Sequence, residues 1–202
     1  MGARAGMKRA LLLAAALVAL LPASLAGAAD TDFKSGVFDP PSVAPDFQLE
    51  GSNGSRAVLS KFRGKVVALA FGFSYCTRVC PVTLSNLAQV FKQLGPAAAD
   101  VQVVFVSVDP DRDSPGRLRE FLQAFNPTFL GATGSKAQLD AVQQAYGVFA
   151  TRAPSDDKKI GYEVHHSSSI YLIDREGKLR LLVPFGTPPQ TVAHDINLLL
   201  KR

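Results

Sequence analysis

Residues 65–81 read KVVALAFGFSYCTRVCP, and this stretch decides the fold. Lys65 to Phe73 is a continuous apolar run of the buried-strand type. Beyond it, Leu84, Leu87, Ala88, Phe91 and Leu94 recur at helical spacing, and Pro81 suits the first turn of that helix. Cys76 and Cys80 therefore lie where a strand hands over to a helix. Ligands of open α/β sheets bind at that end of the strands. A residue before proline is biased away from helix, so 76–80 is expected to be a loop that can turn both sulfurs toward one point.

Working outward, residues 101–108 (VQVVFVSV) form a second buried strand. Ser114-Pro115 caps a helix whose apolar face is Leu118, Phe121, Leu122 and Phe125. After a short strand, Ser135 caps another helix, with Leu139, Val142 and Tyr146 inward and Gly147 as its stop. Residues 152–161 read as a charged loop or hairpin. Strand 168–174 turns at Arg175-Glu176-Gly177-Lys178 and returns over 179–185, and Thr187-Pro188 opens a last helix carrying Val192, Ile196, Leu199 and Leu200. Upstream, 47–50 and 57–59 flank the turn Gly51-Ser52-Asn53-Gly54. Helices between the early strands imply parallel neighbours, and the 168–185 hairpin is antiparallel within itself. This α/β class, a central mixed sheet flanked by helices, is the thioredoxin-like plan.

The N-terminus is of another kind. Arg4, Lys8 and Arg9 precede a wholly apolar stretch, 10–21, and then Pro22, Ser24 and Ala26-Gly27-Ala28. That is a signal-peptide pattern over 1–29, or an anchor if uncleaved. No cysteine follows it to carry a lipid. Residues 30–43, with three prolines by Pro45, read as a linker, and the domain is expected over 44–202. Export places the chain in the periplasm, soluble or tethered, where thiols can be oxidised. Removing the three leader cations from the formal +5 leaves +2. The basicity thus belongs largely to the leader, and nucleic-acid binding is not expected. A monomer is the default. With 2 Cys and 3 His, neither a disulfide scaffold nor a many-imidazole metal site is available.

The chemistry gathers around the cysteine pair. Cys80 lies beside a helix N-terminus, which favours its thiolate, and Arg78 adds positive potential. The bland alternative is a static disulfide. His165-His166 precede strand 168–174; if that strand runs antiparallel to 65–73, one of the two faces the sulfurs and the other points away. The alternative is a pair of solvated loop residues. Asp109 and Asp113 close strand 101–108 at the same edge, either as ordinary acids at a helix entry or as partner-docking or supporting groups. His194 falls off the apolar helix face and is expected to be exposed and inert.

Three motifs in order carry a resemblance: Cys76-Thr77-Arg78-Val79-Cys80-Pro81, then Ser107-Val108-Asp109-Pro110 with Arg112-Asp113, then His166-Ser167-Ser168 with Ile170-Tyr171-Leu172-Ile173-Asp174. From about residue 44 to the C-terminus the chain resembles the Sco/SenC family. That resemblance implies a thioredoxin-like fold and one copper per chain, Cu(I) or Cu(II), held by Cys76, Cys80 and His166. It implies a metallochaperone rather than an enzyme, serving the dinuclear copper site of cytochrome c oxidase. The partners it implies are the oxidase copper-site subunit, an upstream copper donor and a thioredoxin-like reductase. Tyr75, Thr77-Arg78 and His165 depart from the family's usual residues. Thiolates are soft and select Cu(I), and imidazole suits Cu(II) as well. Zinc fits less well, because closed structural zinc sites use four ligands. Ser167-Ser168-Ser169 stand where thioredoxin-like reductases place a cis-proline. The alternative is a thiol–disulfide oxidoreductase with Cys76 attacking, Cys80 resolving and His166 dispensable. A peroxide-reducing relative or redox sensor is weaker, because the peroxidatic Thr-x-x-Cys pattern is absent.

Overall fold

The computed structural model describes residues 32–155 and 160–202. The leader expected over 1–29, the start of the linker and the tip of the 152–161 loop lie outside the described residues. In chain order the elements are β1 (Gly36–Val43), β2 (Gln48–Gly51), β3 (Arg56–Val58), β4 (Val66–Gly72), α1 (Val79–Leu94), β5 (Val101–Ser107), α2 (Pro115–Gln123), β6 (Leu130–Thr133), α3 (Lys136–Ala145), β7 (Ala150–Pro154), β8 (Tyr162–His166), β9 (Ile170–Ile173), β10 (Lys178–Val183) and α4 (Pro189–Leu200). Among the described residues, eight strands form one mixed sheet in the order β1-β10-β9-β4-β5-β6-β2-β3.

The centre follows from the apolar runs. Every residue of β4 is buried, and β4 pairs with β5 in parallel from Val66↔Val101 to Gly72↔Ser107. Strand β9 joins β4 antiparallel, with Ile170 opposite Ala70. The start of β9 therefore lies at the carboxyl end of β4, as the antiparallel arrangement requires. Helices flank this frame: α1 packs with α4, and α2 lies on β6. Gly131 of β6 lets α2 approach, since a Cβ there would meet Leu118 Cβ at 2.7 Å. The expected caps form. Ser114 accepts from Arg117 N–H with Pro115 in the first turn, and Ser135 makes a reciprocal capping box with Gln138.

One segment differs from expectation. Residues 36–43 are no linker; they pair with β10 as an edge strand. Pro40 and Pro41 fall where the register shifts between Val37 and Ser42, a place where a missing N–H costs no ladder bond. The strand is exposed along nearly its whole length, so it lacks the alternation that would mark it. The charged stretch takes the hairpin form, one of the two expected for it. Residues 150–154 and 162–166 form a hairpin, β7–β8, whose strands pair only with each other among the described residues.

Candidate metal centre

Strand β4 ends at Gly72, and the chain turns through Phe73 to Arg78 before α1 begins. Cys76 lies in that turn, half-buried. Cys80 is the second residue of α1 and 2% exposed. The expected loop over 76–80 is thus shorter by two residues. Pro81, in the first helical turn, needs no N–H partner, and that outweighs the bias on the residue before it. His166 ends β8 and lies three residues before β9. Sγ of Cys76, Sγ of Cys80 and a ring nitrogen of His166 lie within 4.8 Å of one another. The structure brings together the three residues singled out from the sequence, from a turn, a helix and a hairpin.

His166 Nε2 is 3.6 Å from Cys80 Sγ, and its Nδ1 is 2.7 Å from the carbonyl of Ser167. A carbonyl only accepts, so Nδ1 donates to it and Nε2 is the ring nitrogen that faces the sulfurs. The Phe73 ring meets the imidazole edge-on at 5.8 Å. His165 is exposed and points into the groove beside the site instead.

The two thiols are not equivalent, and their order reverses the expectation for Cys80. Cys76 is lowered to about 3, foremost by the Cys80 thiol, with His166 and the backbone N–H of Cys80 adding to it against the cost of burial. That N–H lies 3.3 Å from Cys76 Sγ, so the first turn of α1 points its donors at Cys76 rather than at its own cysteine. Cys80 is raised by its bond to Cys76, by burial and by the Cys76 charge. Arg78 contributes to Cys76 through its backbone; its side chain is exposed.

Asp109 and Asp113 are fully buried supports, not free acids at a helix entry. Asp113 accepts from Ser107 Oγ at 2.6 Å and from the Ser74 N–H at 3.1 and 3.2 Å, which fixes the start of the cysteine turn. Burial pushes its carboxyl up, against the pull of those bonds. Asp109 accepts from Arg112, from Tyr162 Oη at 2.6 Å and from Arg152 at 3.2 Å. Sequence reasoning assigned no role to Arg112, Tyr162 or Arg152. The one visible signal was the buried-strand ending Ser107-Val108-Asp109, which forces the acids after it toward the interior. His194 is half-exposed and not without contact: its Nδ1 lies 3.0 Å from Asp195, which is fully buried.

An open groove of about 340 Å³ flanks the sulfurs, lined among others by Tyr75, Thr77, Arg78, Phe149 and Tyr162. Tyr75 and Phe149, at its rim, are 43% and 61% exposed.

Comparison with known proteins agrees with this geometry. The SCO1/SenC family matches over residues 37–201. An SCO2-like protein of Rickettsia conorii is 36% identical over 136 residues, covering 67% of this chain and 66% of that protein. The mitochondrial SCO2 homolog of Bos taurus is 39% identical over 134 residues, covering 65% and 50%. The chain thus spans just under two thirds of the rickettsial relative and half of the bovine one. The structure of Bradyrhizobium japonicum ScoI with copper bound superposes with a TM-score of 0.72 at 31% identity, covering 79% of this chain and all of that one.

Proposed function

The chain belongs to the SCO1/SenC family, and from that membership we propose that it is a copper-binding assembly factor that delivers copper to, or matures, the dinuclear copper site of cytochrome c oxidase. The observation that carries the reading is the convergence of Cys76, Cys80 and His166 within 4.8 Å. Two soft thiolates and one imidazole suit copper in either oxidation state. Three protein ligands leave the coordination incomplete, so a recipient's ligand can enter before one of these leaves. The relative from Bradyrhizobium is described with copper bound.

The residues divide the work. Cys76 is already a thiolate at neutral pH, while Cys80 is protonated and gives up its proton as the metal arrives. His166 offers Nε2, the ring nitrogen that faces the sulfurs, while Nδ1 is taken by the Ser167 carbonyl. The groove beside the sulfurs, with Tyr75 and Phe149 at its rim, receives the oxidase copper-site subunit. Oxidation of the Cys76 thiolate and the Cys80 thiol to a disulfide removes two electrons and the one remaining thiol proton and abolishes the site, so metal and redox states are linked. A leader over 1–29 would export the domain to the periplasm, soluble or tethered, where both an upstream copper donor and a thioredoxin-like reductase could meet it.

One observation favours a second reading, a thiol–disulfide oxidoreductase acting on the cysteines of a copper-site partner. A half-exposed thiolate, Cys76, next to a buried thiol, Cys80, is the arrangement of an attacking and a resolving cysteine. Titrating the reduced protein and its His166→Ala variant with copper separates the two. The assembly reading expects one ion per chain and sulfur-to-copper charge-transfer absorption, both lost with His166. If wild type and variant bind equally poorly, the copper reading falls and the reductase takes its place.

A further inference from the structure

Among the described residues, strands β7 and β8 pair only with each other, yet β8 ends on His166. A lone two-stranded hairpin is marginal in water, so the placement of that imidazole depends on what holds the hairpin down. Arg112 is the residue best placed to do so. Its Nη1 donates to the carbonyls of Ile160 and Tyr162, at 2.9 and 3.0 Å, where β8 begins. Its guanidinium lies 3.7 Å from the centre of the Tyr162 ring. On its other side it faces the rings of Tyr75 at 5.0 Å and Phe73 at 5.6 Å, which flank the turn leading to Cys76. Nε is bound by the buried Asp109, which also takes the Tyr162 hydroxyl.

We propose that Arg112, which would ligate nothing itself, is the positioning residue that holds the His166-bearing hairpin over the cysteine turn; this rests on the copper reading above. The cysteine side is held separately, because Asp113 grips Ser74 N–H without help from Arg112. Arg112 therefore bears foremost on the imidazole, while the Asp113–Ser74 bonds keep the cysteine turn in place when it is changed. Lysine cannot replace it. One ammonium does not reach two carbonyls and a carboxylate while stacking on an aromatic ring.

The test compares wild type, Arg112→Lys and Tyr162→Phe by copper affinity, by the Cys76–Cys80 reduction potential, and by the NMR contact between the Phe73 and His166 rings in the metal-free protein. Losing a residue that orients a metal ligand costs about 10–100-fold in affinity, and that range is expected for Arg112→Lys. The ring contact should weaken, and the disulfide potential should move far less than the copper affinity. Tyr162→Phe keeps the stacked ring and loses only the bond to Asp109; it should move the same readouts less, and it decides the matter if Arg112→Lys does not fold. Wild-type affinity with an intact ring contact overturns the proposal. So does a potential that moves along with affinity, since that means general loosening. If the wild type itself binds no copper, the copper reading falls, and the ring contact alone judges Arg112.

Discussion

Cys76 and Cys80 sit one helical turn apart and yet carry opposite shifts. The cause is foremost the bond between the two sulfurs, which lowers Cys76 and raises Cys80; His166 and the Cys80 N–H add to the lowering of Cys76, which is also the more exposed. Thiolates, not thiols, alkylate. Iodoacetamide at pH 5 should therefore modify Cys76 and spare Cys80 in the reduced, metal-free protein, as mapped by mass spectrometry. Labelling of Cys80 first would contradict the assignment. A second expectation concerns the neighbouring imidazoles. His165 is exposed and its neighbour faces the sulfurs, so His165→Ala should keep one copper per chain with an unchanged charge-transfer band, where His166→Ala loses both. Equal losses in the two variants would mean that the strand places both rings at the metal.

Helix α1 approaches β4 closely because that strand ends without a side chain. A Cβ at Gly72 would stand 2.6 Å from Phe105 Cζ and 2.7 Å from Cys80 Sγ, closer than carbon atoms pack. Gly72→Ala should thus displace both the helix start and a ligand sulfur. Overpacking of this kind costs about 1–3 kcal/mol, readable as a lower urea midpoint, and copper affinity should fall in parallel. A variant that lost stability while keeping wild-type affinity would show that the strain is absorbed by Phe105 alone. Such contacts were not legible in the sequence, although the elements that make them were. The strands and helices around the site announced themselves through apolar periodicity, Ser-Pro caps and turn glycines. The hairpin β7–β8 was legible only as a charged loop or hairpin over 152–161, because its strands are largely exposed. Its attachment depends on side chains of the Asp109–Asp113 turn, and pairing across fifty residues leaves no periodic trace. The three ligand residues were readable from their motifs. The supporting arginine was not, since its role depends on which carbonyls come within reach of its guanidinium.

At the scale of the whole molecule, the sheet does not end where composition suggests. Lys34 and Ser35 donate their backbone N–H groups to Asp195 at 3.0 Å each, and Asp195 is fully buried. Helix α4 thereby ties down the arm that leads into β1, and β1 covers the edge of β10. A chain trimmed to begin at residue 44 would lose both features. It would leave a carboxylate inside the protein without its two donors, and it would expose a strand edge. Unsatisfied buried polar groups cost about 1–3 kcal/mol each, more when charged. The chain beginning at 44 should therefore unfold at lower urea than one beginning at 32, with a difference of at least about 2 kcal/mol. Asp195→Asn in the shorter chain should recover part of that loss, because an amide keeps one acceptor oxygen and loses the charge. Copper stoichiometry should stay at one per chain in all three, since none of the removed residues lies among Cys76, Cys80 and His166 or the turn that supports them. Coincident unfolding curves for the two chains would mean that residues 32–43 are an appended tail, and that the sheet closes at β10 without them.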